Sequence, residues 1–385
     1  MKKQIRCLGI IMLMMVMAGC QTTPESVKDK TENYIPSEDV EKTDISYVNI
    51  EHLLDNQEQV LEKEYQNIQL LDTIQIEQPD EVCVLSMKLC EGFATEEKVK
   101  KIISAFFQKD DYEEKIKNYK EEEWASGNVL GFHVNTEKDR AILQDDGFCC
   151  LCREKQSVFV ENLSSIYHID WKDKYGDCVL NGKKRSIDEA VKDVNDWCNE
   201  NWKLMEPNYF YQVKNVYKCK DKTGDFLFFE VCKNYRGIPF EDINFMAENE
   251  ESYFNSILEV TMREEGIISG IRNNNFCYEI ESEQNHSDKL IGLGEALQIV
   301  EQKMAGSHIN EIIDIDIKYE IKWIGDKEKE SVNTPGTKFE ARPVWSLIID
   351  APKYQSANGQ WARKFINVDM VTGEVMYQDV CLEYD

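Results

Sequence analysis

The sequence predicts an α+β fold: antiparallel sheets each packed by helices, with a duplicated helix-then-sheet unit in the C-terminal half. Three observations lead there. Ile313, Ile315, Ile317, Tyr319, Ile321 and Trp323 alternate with Asp314, Asp316, Lys318, Glu320 and Lys322, the pattern of an antiparallel strand with one buried and one wet face. Val99, Ile102, Ile103, Phe106 and Phe107 recur at helical spacing and make one apolar face. The elements do not alternate strand, helix, strand along the chain as a parallel sheet requires.

The first segment is not part of that fold. Lys2, Lys3 and Arg6 precede an apolar run from Cys7 to Ala18, and Ala18 and Gly19 precede Cys20. The run is shorter than the ~18 residues a membrane span needs, so residues 1–19 read as a secretion signal. Met17-Ala-Gly-Cys20 resembles the lipobox of bacterial lipoproteins, with Met17 where Leu is commoner. The resemblance implies cleavage before Cys20 and attachment of a diacylglycerol to its thiol, so that acyl chains hold the protein on a membrane surface. Loss of three cations with the signal takes the net charge from −27 to −30. Anionic headgroups repel such a chain, which leaves the lipid as its anchor. Residues 20–44 are polar and without apolar period, the character of a flexible tether.

Residues 45–178 form the predicted N-terminal α+β domain. The Lys/Glu-rich stretch from Glu51 to Gln66 suggests a first helix. Ile74 and Ile76, then Cys83, Leu85, Met87 and Leu89, read as strands around the turn Gln78-Pro79-Asp80. Thr95 caps the helix that carries Val99 to Phe107. Further strands are expected at Val129–Val134, Ala141–Leu143 and Phe148–Val160.

The duplicated units occupy residues 179–285 and 286–385. Ser186-Ile-Asp-Glu189 is a capping box that opens a helix with Ile187, Ala190, Val191, Val194, Trp197 and Cys198 on one face. A second helix starts near Leu293, buries Ala296, Leu297, Val300 and Met304, and ends at Gly306. Glu189-Ala190-Val191-x-x-Val194 aligns with Glu295-Ala296-Leu297-x-x-Val300 at an offset of 106. Glu265-Gly266-Ile267-Ile268 aligns with Thr372-Gly373-Glu374-Val375 at 107. Two landmarks at nearly one offset indicate a repeat. In the second copy, Val344–Ile349, Lys364–Asp369 and Glu374–Tyr377 supply strands, and residues 331–337 a loop.

Composition and motif spacing narrow the chemistry. With 72 Asp and Glu against 45 Lys and Arg, the chain lacks the clustered cations that nucleic acid requires. Of 13 Cys, Cys7 leaves with the signal and Cys20 carries lipid; the remaining odd number cannot all pair. Several stand where an apolar residue is expected, as buried thiols do. Cys149-Cys150-Leu151-Cys152 is the densest cluster, but zinc wants paired Cys-x-x-Cys turns; strand packing is the simpler reading, with Cys150 and Cys152 sharing a face. His52, His133, His168, His286 and His308 show no ligand spacing. Asp314 and Asp316 read as the wet side of their strand, and Trp361 as a possible contact residue. No catalytic residue, metal ligand or cofactor is assigned.

The second unit, with Glu-Ala-Leu in its helix, a Pro343-Val-Trp345 strand and Ile366-Asn-Val-Asp369-Met-Val-Thr372-Gly373-Glu-Val375, resembles a PepSY domain. Tyr235-Arg-Gly237-Ile238-Pro239-Phe240 is similar to the Gly-Ile-Pro segment of peptidase propeptides, whereas Arg263-Glu-Glu265-Gly266 departs from the Asp-x-x-Thr-Gly form. The layout also resembles a family of lipoproteins of anaerobic Gram-positive bacteria to which no activity attaches. These resemblances imply an outward-facing, membrane-anchored lipoprotein that binds a surface protein, modulating a peptidase or a sensor. Two other classes stay open: a hydrolase of unfamiliar type with its site in the N-terminal domain, and a binder of a cationic envelope ligand.

Overall fold

A computed structural model describes residues 45–71, 74–90, 92–109, 111–121, 129–145, 147–153, 165–169, 177–240, 257–264, 267–273, 277–304, 310–324, 336–349 and 361–382. Within them the chain is a mixed α and β protein of mostly antiparallel strands with four helices. Residues 1–44, where the signal, Cys20 and the tether are expected, lie outside the described residues, as do residues 265–266 of the expected second landmark. None of the described helices is long and apolar enough to cross a membrane.

In chain order the elements are β1 (Tyr47–Val48), α1 (Gln57–Leu61), β2 (Ile68–Leu70), β3 (Cys83–Leu89), α2 (Glu96–Phe107), β4 (Lys117–Glu121), β5 (Val129–Asn135), β6 (Arg140–Gln144), β7 (Cys149–Cys152) and β8 (Ser165–Ile169). There follow β9 (Asp177–Leu180), β10 (Lys183–Ser186), α3 (Ile187–Glu200), β11 (Phe210–Asp221), β12 (Gly224–Tyr235), β13 (Ile238–Pro239), β14 (Ile257–Glu264), β15 (Ile267–Asn273) and β16 (Tyr278–Asn285). The chain closes with β17 (Leu290–Ile291), α4 (Leu293–Lys303), β18 (Asn310–Trp323), β19 (Lys338–Ile349), β20 (Trp361–Asp369) and β21 (Val375–Leu382).

Two large sheets hold most strands. A ten-stranded sheet runs β4-β5-β6-β7-β15-β14-β12-β11-β8, with β13 beside β12. A seven-stranded sheet runs β16-β3-β19-β18-β2, with β20 on β19 and β21 on β20. α2, α3 and α4 each lead into four sequential antiparallel strands: β4 to β7, β11-β12-β14-β15, and β18 to β21. The first two series meet at their last strands, where β7 pairs antiparallel with β15 from Cys149↔Asn273 to Cys152↔Gly270. β3 lies between β16 and the first half of β19, so an N-terminal strand is built into the C-terminal sheet.

One hydrophobic cluster joins all layers. It takes Ile102 and Phe106 from α2, Ala190 and Val194 from α3, Ala296 and Val300 from α4, Leu151, Phe229 and Ile271 from the ten-stranded sheet, and Leu85, Trp345 and Ile366 from the seven-stranded one. The helices form because their apolar periods match that interior, and α2 and α3 also have capped starts. Thr95 Oγ1 accepts the Lys98 N–H at 3.4 Å and Ser186 Oγ the Glu189 N–H at 3.3 Å, each satisfying an orphan donor.

Three local expectations change. The Glu51–Gln66 helix breaks into a 3₁₀ turn at Ile50–His52 and the short α1, because Asn56 takes a left-handed φ of 57° between them. Ile74 and Ile76 stand outside the ladders, and the strand there is β2, parallel to β18. On β18 a register shift between Ile312 and Asp314 puts Ile312, not Ile313, in the core. The face opposite the core is not uniformly wet either. Lys318 is 2% and Glu320 5% exposed, since Lys318 Nζ sits 5.2 Å from the Phe365 ring and 3.5 Å from Ser346 Oγ, and Glu320 accepts Asn367 Nδ2 at 3.3 Å.

Candidate functional site

The sequence-selected residues do not converge. Cys149 faces the core, whereas Cys150 and Cys152 lie on the opposite face with Phe148, as β alternation requires. Burial pushes the Cys152 thiol up to about 12 and raises Cys150 too, the behaviour of packing thiols. Asp314 Oδ1 accepts the Ile315 N–H at 3.0 Å, and Asp316 lies 3.9 Å from Lys318. His52 pairs with exposed Asp55, His133 is on β5 and His286 follows β16. Trp361 opens β20, and His308 lies outside the described residues. Among the described residues no group of three or more His, Cys, Asp or Glu is placed to hold a metal ion.

The Tyr235–Phe240 segment is a joint between the sheets. Arg236 and Gly237 take φ of 52° and 83° in the two-residue turn from β12 to β13, a turn that suits the twist of antiparallel strands. Arg236 is anchored by Glu81 and, at 2.5 Å, by Glu283, to which Tyr235 Oη donates at 2.7 Å. Phe240 then bridges to Tyr319 of the other sheet, with ring centroids 5.1 Å apart. The segment that resembles Gly-Ile-Pro thus works here as a hinge-pin of packing.

The most unusual chemistry was not singled out by motif. Register across the ten-stranded sheet lines up Asn215, Glu230, Glu259, Arg272, Cys150, Ile142, His133 and Lys117 in one row. The row lies opposite the core, because the neighbours Phe229, Leu258, Val260 and Leu151 face inward. Glu230 is 3% exposed and accepts Asn215 Nδ2 at 2.6 Å and Tyr217 Oη at 3.2 Å. Directly opposite, Glu259 lies 3.6 Å from Arg272. Burial raises the Glu259 carboxyl to about 7, with Arg272 opposing and Glu230 reinforcing the shift. Two carboxylates side by side with one guanidinium resist full ionisation, which is the direction of the Glu259 shift. At the far end of the same face, Arg263 pairs with Asp221 and stacks 4.3 Å from Phe226. Burial works against the Asp221 carboxylate, but hydrogen bonds from Arg263 and Thr223 hold it down at about 2.

A second polar cluster is interior. Glu206 accepts Lys233 Nζ at 2.6 Å, Tyr211 Oη at 2.7 Å and Trp202 Nε1 at 3.2 Å. Burial disfavours the Lys233 ammonium, yet Glu206 beside it keeps it above its ordinary range. The cluster ties the 3₁₀ turn at Trp202–Leu204 to β11 and β12. No known protein family and no curated protein matches the chain.

Proposed function

We propose that the protein is an outward-facing lipoprotein, anchored through lipid on Cys20, that acts by binding a surface peptidase or sensor protein. The observation that supports this reading most is the layout of α3 with β11-β12-β14-β15 and of α4 with β18-β19-β20-β21. A helix followed by sequential antiparallel strands is the arrangement that the PepSY resemblance implies, and we read the two as copies of one unit. α2 with β4 to β7 follows the same order. On this reading the exposed strand faces, and not the buried Glu230–Glu259 row, offer the contact surface.

The test has two parts. Cys20→Ala expressed in a lipoprotein-processing bacterium is expected to leave the membrane fraction, whereas the wild-type chain incorporates labelled palmitate. The full chain, added to extracytoplasmic peptidases from the same cells, is expected to change their casein turnover in a dose-dependent way. Unchanged turnover together with hydrolysis of casein by the chain itself would replace this reading with the hydrolase.

A further inference from the structure

β3 and β16 pair antiparallel as far as Leu89↔Tyr278, and one step further the register sets Cys90 opposite Cys277. The Cys90 N–H donates to Cys277 O at 2.8 Å, so the two backbones stay joined there. Residues opposed across an antiparallel pair project to the same face, with Cβ atoms about 4.5–5.5 Å apart. Among the described strands no other ladder sets one cysteine against another. Cys83 stands opposite Asn285, Cys149 opposite Leu143 and Asn273, and Cys219 opposite Phe226 and Ile166. Cys150 and Cys152 share a face, but they follow one another along a single strand, which keeps them roughly 6.6 Å apart.

The two opposed thiols also share their surroundings. Burial disfavours the Lys233 ammonium, and Glu206, Cys277 and Cys90 all favour it. Burial raises the Cys277 thiol, with Glu206 and Cys90 adding to the shift and Lys233 opposing it. Both sulfurs therefore converge on the Glu206–Lys233 pair. Cys277 is fully buried, whereas Cys90 is only partly so. One sulfur is open to a reagent, and the second stands behind it.

We propose that Cys90 and Cys277 are a cross-linking site, at which the folded chain accepts a disulfide from a small-molecule or protein disulfide and closes it between β3 and β16. The Cys90 thiolate attacks one sulfur of the donor and expels the other as a thiol. The Cys277 thiolate then attacks the Cys90 sulfur and expels the second donor thiol. Two electrons pass to the donor, the two protons end on its thiols, and one S–S bond replaces another. Opposed Cα atoms stand about 4.5–5.5 Å apart, inside the range that a disulfide spans. The Cβ atoms must close to roughly 3.5–4.5 Å, and the pair is placed for that movement because it lies beyond the last rung of the ladder. Burial suits the product. It pushes the Cys90 thiol up to about 12 and so works against the thiolate, whereas a disulfide has no charge to desolvate. The proposal does not depend on the peptidase reading above.

The experiment uses the full chain in nonionic detergent, reduced, freed of reductant and then kept folded with oxidised glutathione. Remaining thiols are capped with N-ethylmaleimide in acid and denaturant, and tryptic peptide masses are read without reduction. Residues 89–98 and 273–289 each carry one cysteine. They are expected as one linked species, two hydrogens lighter than their sum, in preference to every other pairing. The chain kept reduced is expected to give both peptides capped. Oxidation is expected to raise the urea midpoint, and Cys90→Ala, with its circular dichroism unchanged, is expected to abolish that rise. A glutathione adduct on Cys90 that never resolves onto Cys277 overturns the proposal. So does a 89–98 peptide that stays capped throughout, or a link to 273–289 that forms only in denaturant. Each of these results leaves the peptidase reading untouched.

Discussion

Glu206 and Lys233 meet at 2.6 Å with 0% and 3% of their side chains exposed. Tyr211 and Trp202 complete the carboxylate's donors, so the pair is satisfied in a place where either charge alone would not be.

That relationship predicts an asymmetry. Lys233→Met leaves a buried carboxylate without its cation and should cost about 3–5 kcal/mol. Adding Glu206→Gln to the same chain should recover most of that loss, because no charge is then stranded. Denaturant midpoints of the two variants check it. Equal losses in the single and double variants would contradict the account.

Glu259 predicts a pH effect of unusual sign. Its folded carboxyl titrates at about 7 against an ordinary value of 4.5. The stability it lends is therefore fully present below about 4.5 and is lost as pH rises through 7. Glu259→Gln should gain on wild type across that window, by on the order of 2 kcal/mol once partial exposure is discounted. Urea unfolding of both chains at pH 5 and pH 8 measures the difference, and a gain confined to pH 5 would reverse the assignment.

The Asp369-x-x-Thr372-Gly373 turn predicts a graded series. Asp369 Oδ1 accepts the N–H groups of Val371 and Thr372 at 2.8 and 2.9 Å, while its other oxygen pairs with Arg342. Asp369→Ala removes all of these from a side chain that is 1% exposed, and should cost about 3 kcal/mol. Asp369→Asn keeps the turn acceptor and should lose less. Gly373→Ala meets both a φ of +75° and Ile45 and Ile291 methyls at 3.0 and 3.1 Å from a new Cβ, so it should cost about 1–3 kcal/mol. Thermal melts in the order Asn, then Ala at 369, test the ranking.

The thiols predict a protection pattern. Cys198 and Cys277 are fully buried, and burial raises both, whereas Cys90 is only partly buried. Iodoacetamide at pH 8 should leave Cys198 and Cys277 unmodified in the native chain and modify them in denaturant. Peptide masses report it; early modification of Cys198 would show that the α3 face opens readily.

Periodicity and capping made most of the fold legible. Thr95 and Ser186 marked helix starts, and the run from Ile315 to Trp323 marked its strand, because these signals depend on near neighbours. Lys318 and Glu320 misled because what covers them comes from β19 and β20, at Ser346, Phe365 and Asn367. The Glu230–Glu259 row was illegible for the same reason. Neither residue sits in a motif, and only the pairing of β12 with β14 sets them face to face. Asp369 shows the opposite case, a motif residue whose role becomes plain once its turn is drawn.

The insertion of β3 between β16 and β19 has a consequence for how the chain reaches this state. Val82 donates its N–H to Ser287, 205 residues downstream, and Leu85 to Lys88 need both Lys338–Ala341 and the β16 partners before their ladder closes. A chain emerging amino end first must therefore hold that strand unpaired until β16 has followed, and paired on one side only until β19 has. Contacts of such separation are slow to form and leave apolar strands exposed meanwhile. Closing that strand is the long-range step of the fold, and a truncation before residue 338 leaves β3 without its β19 partner.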